Sequence, residues 1–392
     1  MSTLKVTNLQ HASSGSASIT LDSAGTASFN SKDVSGIASI NGGQIGVANL
    51  VQNGAMTVAQ RATSVTSVST EGYKTVDRFK WTMDTTSSVY TLTQSTDVPS
   101  GQGFANSFKA ETTTADASLD ANCQVRFEHR FEGQDLQQLA KGTSNAKSVT
   151  LSFWVKAFQT GTYVINLQDT DNSRLIAATY TVDTSATWEY KTVTFTGDTT
   201  GAFTNDNNLS LVIHWYLSAG STYTSGTLAT SWESLTNANR AVGQTVDIAD
   251  STSNYWAITG VQLEVGSQAT PFEHRPYGDE LARCQRYYWR QERTSGTNGY
   301  VGTASGWSTT EIFTIVRHPT TMRASPSLSY SASNALTGAT NLDSRLGSAI
   351  TSGQPGTDNI LIYIDVSGAT EGKAYTMYLN NDGNWIACDA EL

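Results

Sequence analysis

Apolar and polar residues alternate over several stretches of the chain, and each stretch reads as a half-buried strand. In 209–217 the apolar row is Leu209, Leu211, Ile213, Trp215 and Leu217, with His214 and Tyr216 opposite alongside Val212. In 149–155 the core row is Leu151, Phe153 and Val155, which leaves Ser152 and Trp154 on the other face. Cys123, Val125 and Phe127 leave Gln124, Arg126 and Glu128 opposite, and Tyr163, Ile165 and Leu167 leave Asn166 and Gln168. Further strands are predicted at 188–195 and 255–265. The last has Trp256, Ile258 and Gly260 on one side and Val261, Leu263 and Val265 on the other. Beyond it come 287–293, 311–317, 360–366, 375–379 and 385–390. Between these, 334–359 is polar and Gly-containing and reads as loop. Helix is minor: a short one is predicted in FEGQDLQQL, and Asp279 can cap another that places Leu281, Cys284 and Tyr288 on one face.

Strands at this spacing, joined by loops rich in Gly, Asn and Asp, describe an all-β protein of the two-sheet sandwich class. At 392 residues the length suggests about two or three domains. Residues 1–48 contain no Trp, Tyr, Pro or Cys and hold one plausible hairpin, with Ile19 and Leu21 facing Ala27 and Phe29. Such a pair buries too little to stand alone. It is either a flexible linker or an assembly segment whose burial is completed by other chains. Pro271 and Pro276 remove backbone donors, so the run between them crosses without joining a ladder, and a boundary falls at 276/277.

Three blocks around that boundary, VQLEVG (261–266), TPFEHRPYG (270–278) and LARCQRYY (281–288), resemble bacteriophage tail-fibre and related virion proteins. NLVQNGAMTVAQR (49–61), GYKTVDRFKW (72–81), HPTTMRASPSL (318–328) and the final WIACDAEL extend the resemblance, as does STLKV (2–6) at the start. It implies an N-terminal attachment segment at 1–48, a jelly-roll, carbohydrate-binding-like domain at 49–276 and a smaller C-terminal β-domain at 277–392. It also implies a homotrimer joined to other virion tail proteins through its first segment and adhering to host surface polysaccharide. Jelly rolls of this kind often hold a structural calcium near the first strand. Here NGAMTV (53–58) puts Ala55 and Met56 where an acidic ligand is expected, so no metal is assigned. On residue chemistry alone, 256–289 is an ordinary interdomain connector.

Composition narrows the classes further. The formal charge of −10 and the lack of a Lys/Arg stripe argue against nucleic acid. MSTLKVTNLQ has no apolar signal region, and the longest apolar strand-like run falls far short of the about 18 residues that cross a bilayer. Membrane insertion is not expected. Three widely spaced cysteines, Cys123, Cys284 and Cys388, read as buried free thiols, which fits synthesis in the host cytoplasm before assembly into the virion tail.

No catalytic residues, metal or cofactor are assigned. Glu128 with Glu132 and Asp169 with Asp171 are carboxylate pairs, but solvated acids at a strand edge or turn account for both. Arg283, Arg286, Arg290 and Arg293 read as a solvated mixed-charge face, or else as ion pairs between subunits.

Sugar rings stack on Trp or Tyr, with Asn, Gln, Asp, Glu or Arg bonding their hydroxyls. If the four strands described first share a sheet, its polar face offers Trp154, Tyr216, His214, Arg126, Glu128 and Gln168 as a glycan-binding set. The same face is equally consistent with cover by a long loop or a neighbouring subunit. The functional expectation is a phage fibre protein that adheres to host glycan. The alternatives are a purely structural virion component and, last, a polysaccharide depolymerase.

Overall fold

Every β pairing among the described residues is antiparallel, and the long strands build two stacked sheets. The computed structural model describes residues 49–296, 299–340, 343–352 and 355–392, with five short strands inside the first 48 residues. Those five are β1 (Asn8–Leu9), β2 (Ile19–Leu21), β3 (Ala27–Phe29), β4 (Ser39–Ile40) and β5 (Gly43–Gln44). The hairpin register is as the alternation predicts, with Ile19 opposite Phe29 and Leu21 opposite Ala27. Residues 1–48 and 49–392 are separate compact units.

From residue 49 the strands are β6 (Ser64–Val68), β7 (Phe79–Asp84), β8 (Val89–Ser95), β9 (Ser107–Thr114), β10 (Gln124–Glu132), β11 (Val149–Ala157), β12 (Gly161–Asp169), β13 (Arg174–Val182), β14 (Glu189–Phe195), β15 (Leu209–Ala219), β16 (Glu233–Ser234) and β17 (Tyr255–Val265). One six-stranded sheet runs β16-β13-β12-β15-β10-β7 and the other β14-β11-β17-β9-β8-β6. Together they form a jelly-roll sandwich. Period-2 alternation sends Trp81, Phe108, Phe127, Phe153, Trp215 and Trp256 inward, and all are buried. Phe108 stacks on Phe127 at 4.2 Å, and Phe127 meets Trp256 edge-on at 5.5 Å.

The alternation of β17 breaks where the sequence reading keeps it regular. Gly260 takes φ +63°, and the register with β11 slips between Ser152 and Trp154. This bulge flips the phase, so Trp256, Ile258, Val261 and Leu263 all join the core.

A 3-10 turn at Gly133–Leu139 stands where a short helix is predicted. The run after β17 carries no strand before helix α2 (Tyr277–Gln285), following a four-residue α1 (Ser221–Thr224). The N-cap of α2 is Pro276, and Asp279 lies in its first turn, not at the cap. Cys284 is buried on this helix as expected, but its buried companion is Glu280.

The chain then forms β18 (Tyr288–Glu292), β19 (Gly299–Gly306), β20 (Glu311–Arg317), β21 (Ser327–Tyr330), β22 (Leu336–Thr340), β23 (Asp343–Leu346), β24 (Ala349–Ser352), β25 (Asn359–Asp365), β26 (Ala374–Leu379) and β27 (Trp385–Asp389). Sheets β18-β27-β21 and β23-β22-β26-β19-β20-β25-β24 enclose a second core. The stretch read as loop, 334–359, supplies β22, β23 and β24. Leu336 and Ile350 bury there, and β22 pairs with β26 through four residues.

Of the four arginines read as a solvated mixed-charge face, Arg283 is exposed, but Arg286, Arg290 and Arg293 are partly buried and bonded. Arg286 holds Glu132 with both nitrogens at 2.8 and 2.7 Å, and Arg293 donates to the carbonyls of Leu379 and Asn380. Arg78, fully buried, pairs with Glu391 and lies over the Tyr287 ring. Arg61 reaches Asp389 at 2.9 Å and covers Tyr288. The Arg286, Arg78 and Arg61 contacts tie the sandwich to the second core, whereas those of Arg293 stay within it.

Candidate functional site

The four strands singled out for an aromatic polar face divide between the two sheets. β10, β12 and β15 share one, but β11, which carries Trp154, belongs to the other. Period-2 patterning fixes which face of a strand is buried and leaves open which sheet it joins. Trp154 therefore lies on the opposite side of the sandwich from Tyr216.

The Tyr216 side is roofed by the chain itself. Residues 220–241 fold back over it, and Tyr223, Ala229 and Ala241 pack with Val164, Leu175, Ala177 and Tyr216 into a small apolar cluster. Tyr216, His214, Glu128 and Arg126 are consequently buried. Arg126 lies 3.5 Å from the Tyr216 hydroxyl, and Glu128 is flanked by Arg126 at 3.1 Å and Arg130 at 2.9 Å. Gln168 accepts from Arg240 at 2.8 Å, and the His214 Nδ1 sits 2.7 Å from the Asn166 amide oxygen.

Burial lowers the His214 pKa well below its usual value, with the Arg126 charge adding to the effect. The ring is neutral, and its 3.7 Å approach to Glu128 is not an ion pair. Glu128 and Glu132 are both buried and arginine-bound, not solvated as the sequence reading has them. Asp169 is likewise buried, 2.5 Å from Lys141. The covered face is a structural polar network.

The Trp154 side carries a groove in which Tyr190, Thr192 and Thr194 are exposed, Trp154 is half-buried, and Thr150 and Ser152 are buried. Outward residues of β11 and β14 pair across the ladder as Thr150 with Thr194, Ser152 with Thr192, and Trp154 with Tyr190. They make two hydroxyl rungs and one aromatic rung, whose rings lie 5.3 Å apart. Residues 267–274 and the turn holding Gln102 and Phe104 rise beside this floor and enclose a groove of about 970 Å³.

Phe104 lies over Gly260, where a Cβ would come within 2.6 Å of its ring. It contacts Phe272 at 5.0 Å and His274 at 5.3 Å, forming a second aromatic wall. Phe104 is half-buried, and Tyr190 is 44% exposed.

The wall is held by groups beneath it. Glu264 accepts from the Thr270 amide at 2.8 Å and hydroxyl at 2.7 Å, and Gln262 accepts from the Glu273 amide at 2.9 Å. Gln262 and Glu264 are themselves buried and joined at 2.9 Å. Such tethers preorganise the loop before any ligand arrives. Thr150 bonds Thr194 at 3.0 Å, whereas the Ser152 and Thr192 hydroxyls have no hydrogen-bond partner among the described residues. Beside Trp154, Lys156 and Trp188 both donate to Asp97, at 2.8 and 3.0 Å. Partial burial alone would raise the Asp97 carboxyl, but these two bonds outweigh it and hold the group below its usual range.

Tyr190, Thr192 and Thr194 escape the sequence reading, although the alternation of β14 contains the signal. Phe104, Phe272 and His274 carry no such pattern, because irregular segments deliver them.

Among the described residues no cluster of His, Cys, Asp and Glu could hold a metal ion, and no helix is long and apolar enough to cross a membrane. In the stretch where the resemblance suggests calcium, Asn53 donates to the carbonyls of Val58 and Asp77 at 2.8 and 2.9 Å. Its own amide is taken by Glu280. All three cysteines are free and buried, and burial pushes the Cys123 thiol up to about 12.

No family model matches this chain, and no curated protein matches it. Among solved structures it is similar to a family 11 carbohydrate-binding module of a Clostridium thermocellum cellulosomal cellulase, at 11% identity and TM-score 0.25, over 52% of this chain and 99% of that one. It is similar to the CBM22-1-CBM22-2 tandem domain of Paenibacillus barcinonensis Xyn10C, at 11% identity and TM-score 0.25, over 79% of this chain and 91% of that one. It is also similar to the enzymatically active domain of bacteriophage CBA120 tailspike protein 4, at 13% identity and TM-score 0.29, over 56% of this chain but only 21% of that one.

Proposed function

We propose that this chain is a bacteriophage fibre protein that adheres to a host surface glycan through the groove between β11, β14 and residues 267–274. The observation that carries the reading is the Trp154–Tyr190 aromatic rung beside the exposed, unpartnered hydroxyl of Thr192, in a groove of about 970 Å³. Rings stack sugar faces and hydroxyls exchange hydrogen bonds with sugar hydroxyls, so the floor supplies both halves of sugar recognition. The blocks VQLEVG, TPFEHRPYG and LARCQRYY support the virion setting.

Adhesion fits the lining better than turnover. Glycoside cleavage generally needs two carboxyl groups about 5 to 10 Å apart across the sugar, and the groove is lined by aromatic, hydroxyl, amide and small side chains. A homotrimer would multiply weak single-groove contacts through high effective concentration, with attachment to tail proteins through residues 1–48.

The test is binding of the purified protein to host cells and to a glycan array, with light scattering on the same sample. The paired substitution W154A/Y190A is expected to lower glycan binding at least about tenfold with the unfolding midpoint nearly unchanged. Binding that survives it removes the site. Folded protein that binds no glycan points instead to a purely structural virion role, and a monomer removes the trimer.

A further inference from the structure

We infer that the groove selects an uncharged polysaccharide and rejects acidic chains, an inference that rests on the adhesion reading above. None of the residues lining it is Asp, Glu, Lys or Arg. His274 is the one lining side chain able to become cationic, and its ring is packed against Phe104 and Phe272 at 5.3 and 4.9 Å.

Charged groups close by are already committed. Glu264 is buried beneath the floor, bonded to Thr270 and Gln262. Lys156, two positions along β11 from Trp154, is paired with Asp97 at 2.8 Å. A sugar carboxylate or phosphate entering here would lose water and meet no Lys or Arg in the lining, whereas a neutral hydroxyl exchanges water for Thr192. The formal charge of −10 on the whole chain adds repulsion at longer range.

The sequence reading missed this selectivity because it built the site from Arg126, Glu128 and His214. Those groups lie on the other side of the sandwich, under residues 220–241.

The experiment compares the full chain, W154A/Y190A and T192K on immobilised neutral polymers (β-glucan, galactomannan) and acidic ones (polygalacturonate, alginate). Far-UV circular dichroism checks folding. The wild-type protein is expected to bind a neutral polymer at least about tenfold better than any acidic one. T192K, which sets an ammonium in the floor, should narrow that ratio. Acidic polymers bound as well as neutral ones, with that binding lost in W154A/Y190A, would overturn the selectivity and leave the groove as the adhesive site. Binding that W154A/Y190A leaves intact, or no binding to any polymer, overturns the adhesion reading and this inference together.

Discussion

Gly260 meets two constraints at once: a left-handed backbone and a phenylalanine ring where a side chain would stand. An L-residue there is strained in φ, and its Cβ pushes Phe104 off the groove wall. Gly260→Ala is therefore expected to lower unfolding stability by about 3 kcal/mol, measured by urea titration. Adding Phe104→Ala should recover only the steric part, because the backbone strain remains. Wild-type-like stability of Gly260→Ala would mean that the bulge relaxes freely. Trp154 shows the same dependence on neighbours. Its outward position is legible from alternation alone, but its partner Tyr190 is named only by the register of β11 with β14.

Among the elements, most long strands of the sandwich are legible because branched and aromatic residues alternate over seven or more positions in β11, β12 and β15, and over shorter runs on each side of the bulge in β17. β22, β23 and β24 are missed for the opposite reason. They are four or five residues long, and Gly338 and Ala339 sit within β22, so no period emerges before each strand ends. The assignment of strands to sheets is also illegible, because alternation carries no information about the partner strand.

The groove wall at 267–274 is irregular, yet Gln262 and Glu264 fasten it from β17. The sequence hints at this only through Pro271 and Pro276, which keep the run out of a ladder. Glu264→Ala should raise amide hydrogen exchange across 267–274 by roughly tenfold while β11 and β14 keep their protection. Unchanged exchange would show that Phe104 and Phe272 hold the wall without the carboxylate.

For the molecule from residue 49 onward, charge decides how the two cores stay together. Burial alone would raise the Glu128 and Glu132 carboxyls, but Arg126 with Arg130 at Glu128, and Arg286 at Glu132, outweigh it and hold both below 4.5. Their folded pKa is depressed, so their stabilisation is present above about pH 4.5 and lost as pH falls through the folded values. Asp77 runs the other way. Burial pushes it up to about 6, so its contribution is full below 3.8 and lost as pH rises through 6. Arg286→Met should cost about 2 kcal/mol at pH 7 and progressively less as pH falls below 4.5 and Glu132 takes up its proton, read from thermal unfolding across that range. A cost that does not change with pH would assign the loss to packing of the arginine stem.

The arginine contacts that join the cores have a mechanical meaning as well. Arg78 and Arg61 converge on the Glu391 carboxylate, while Arg286 holds Glu132 from the second core, so the joint rests on two charged clusters and not on one contact. Losing the single Glu391 carboxylate would therefore loosen two of the three arginine ties together, and the joint would turn on what Arg286 still holds.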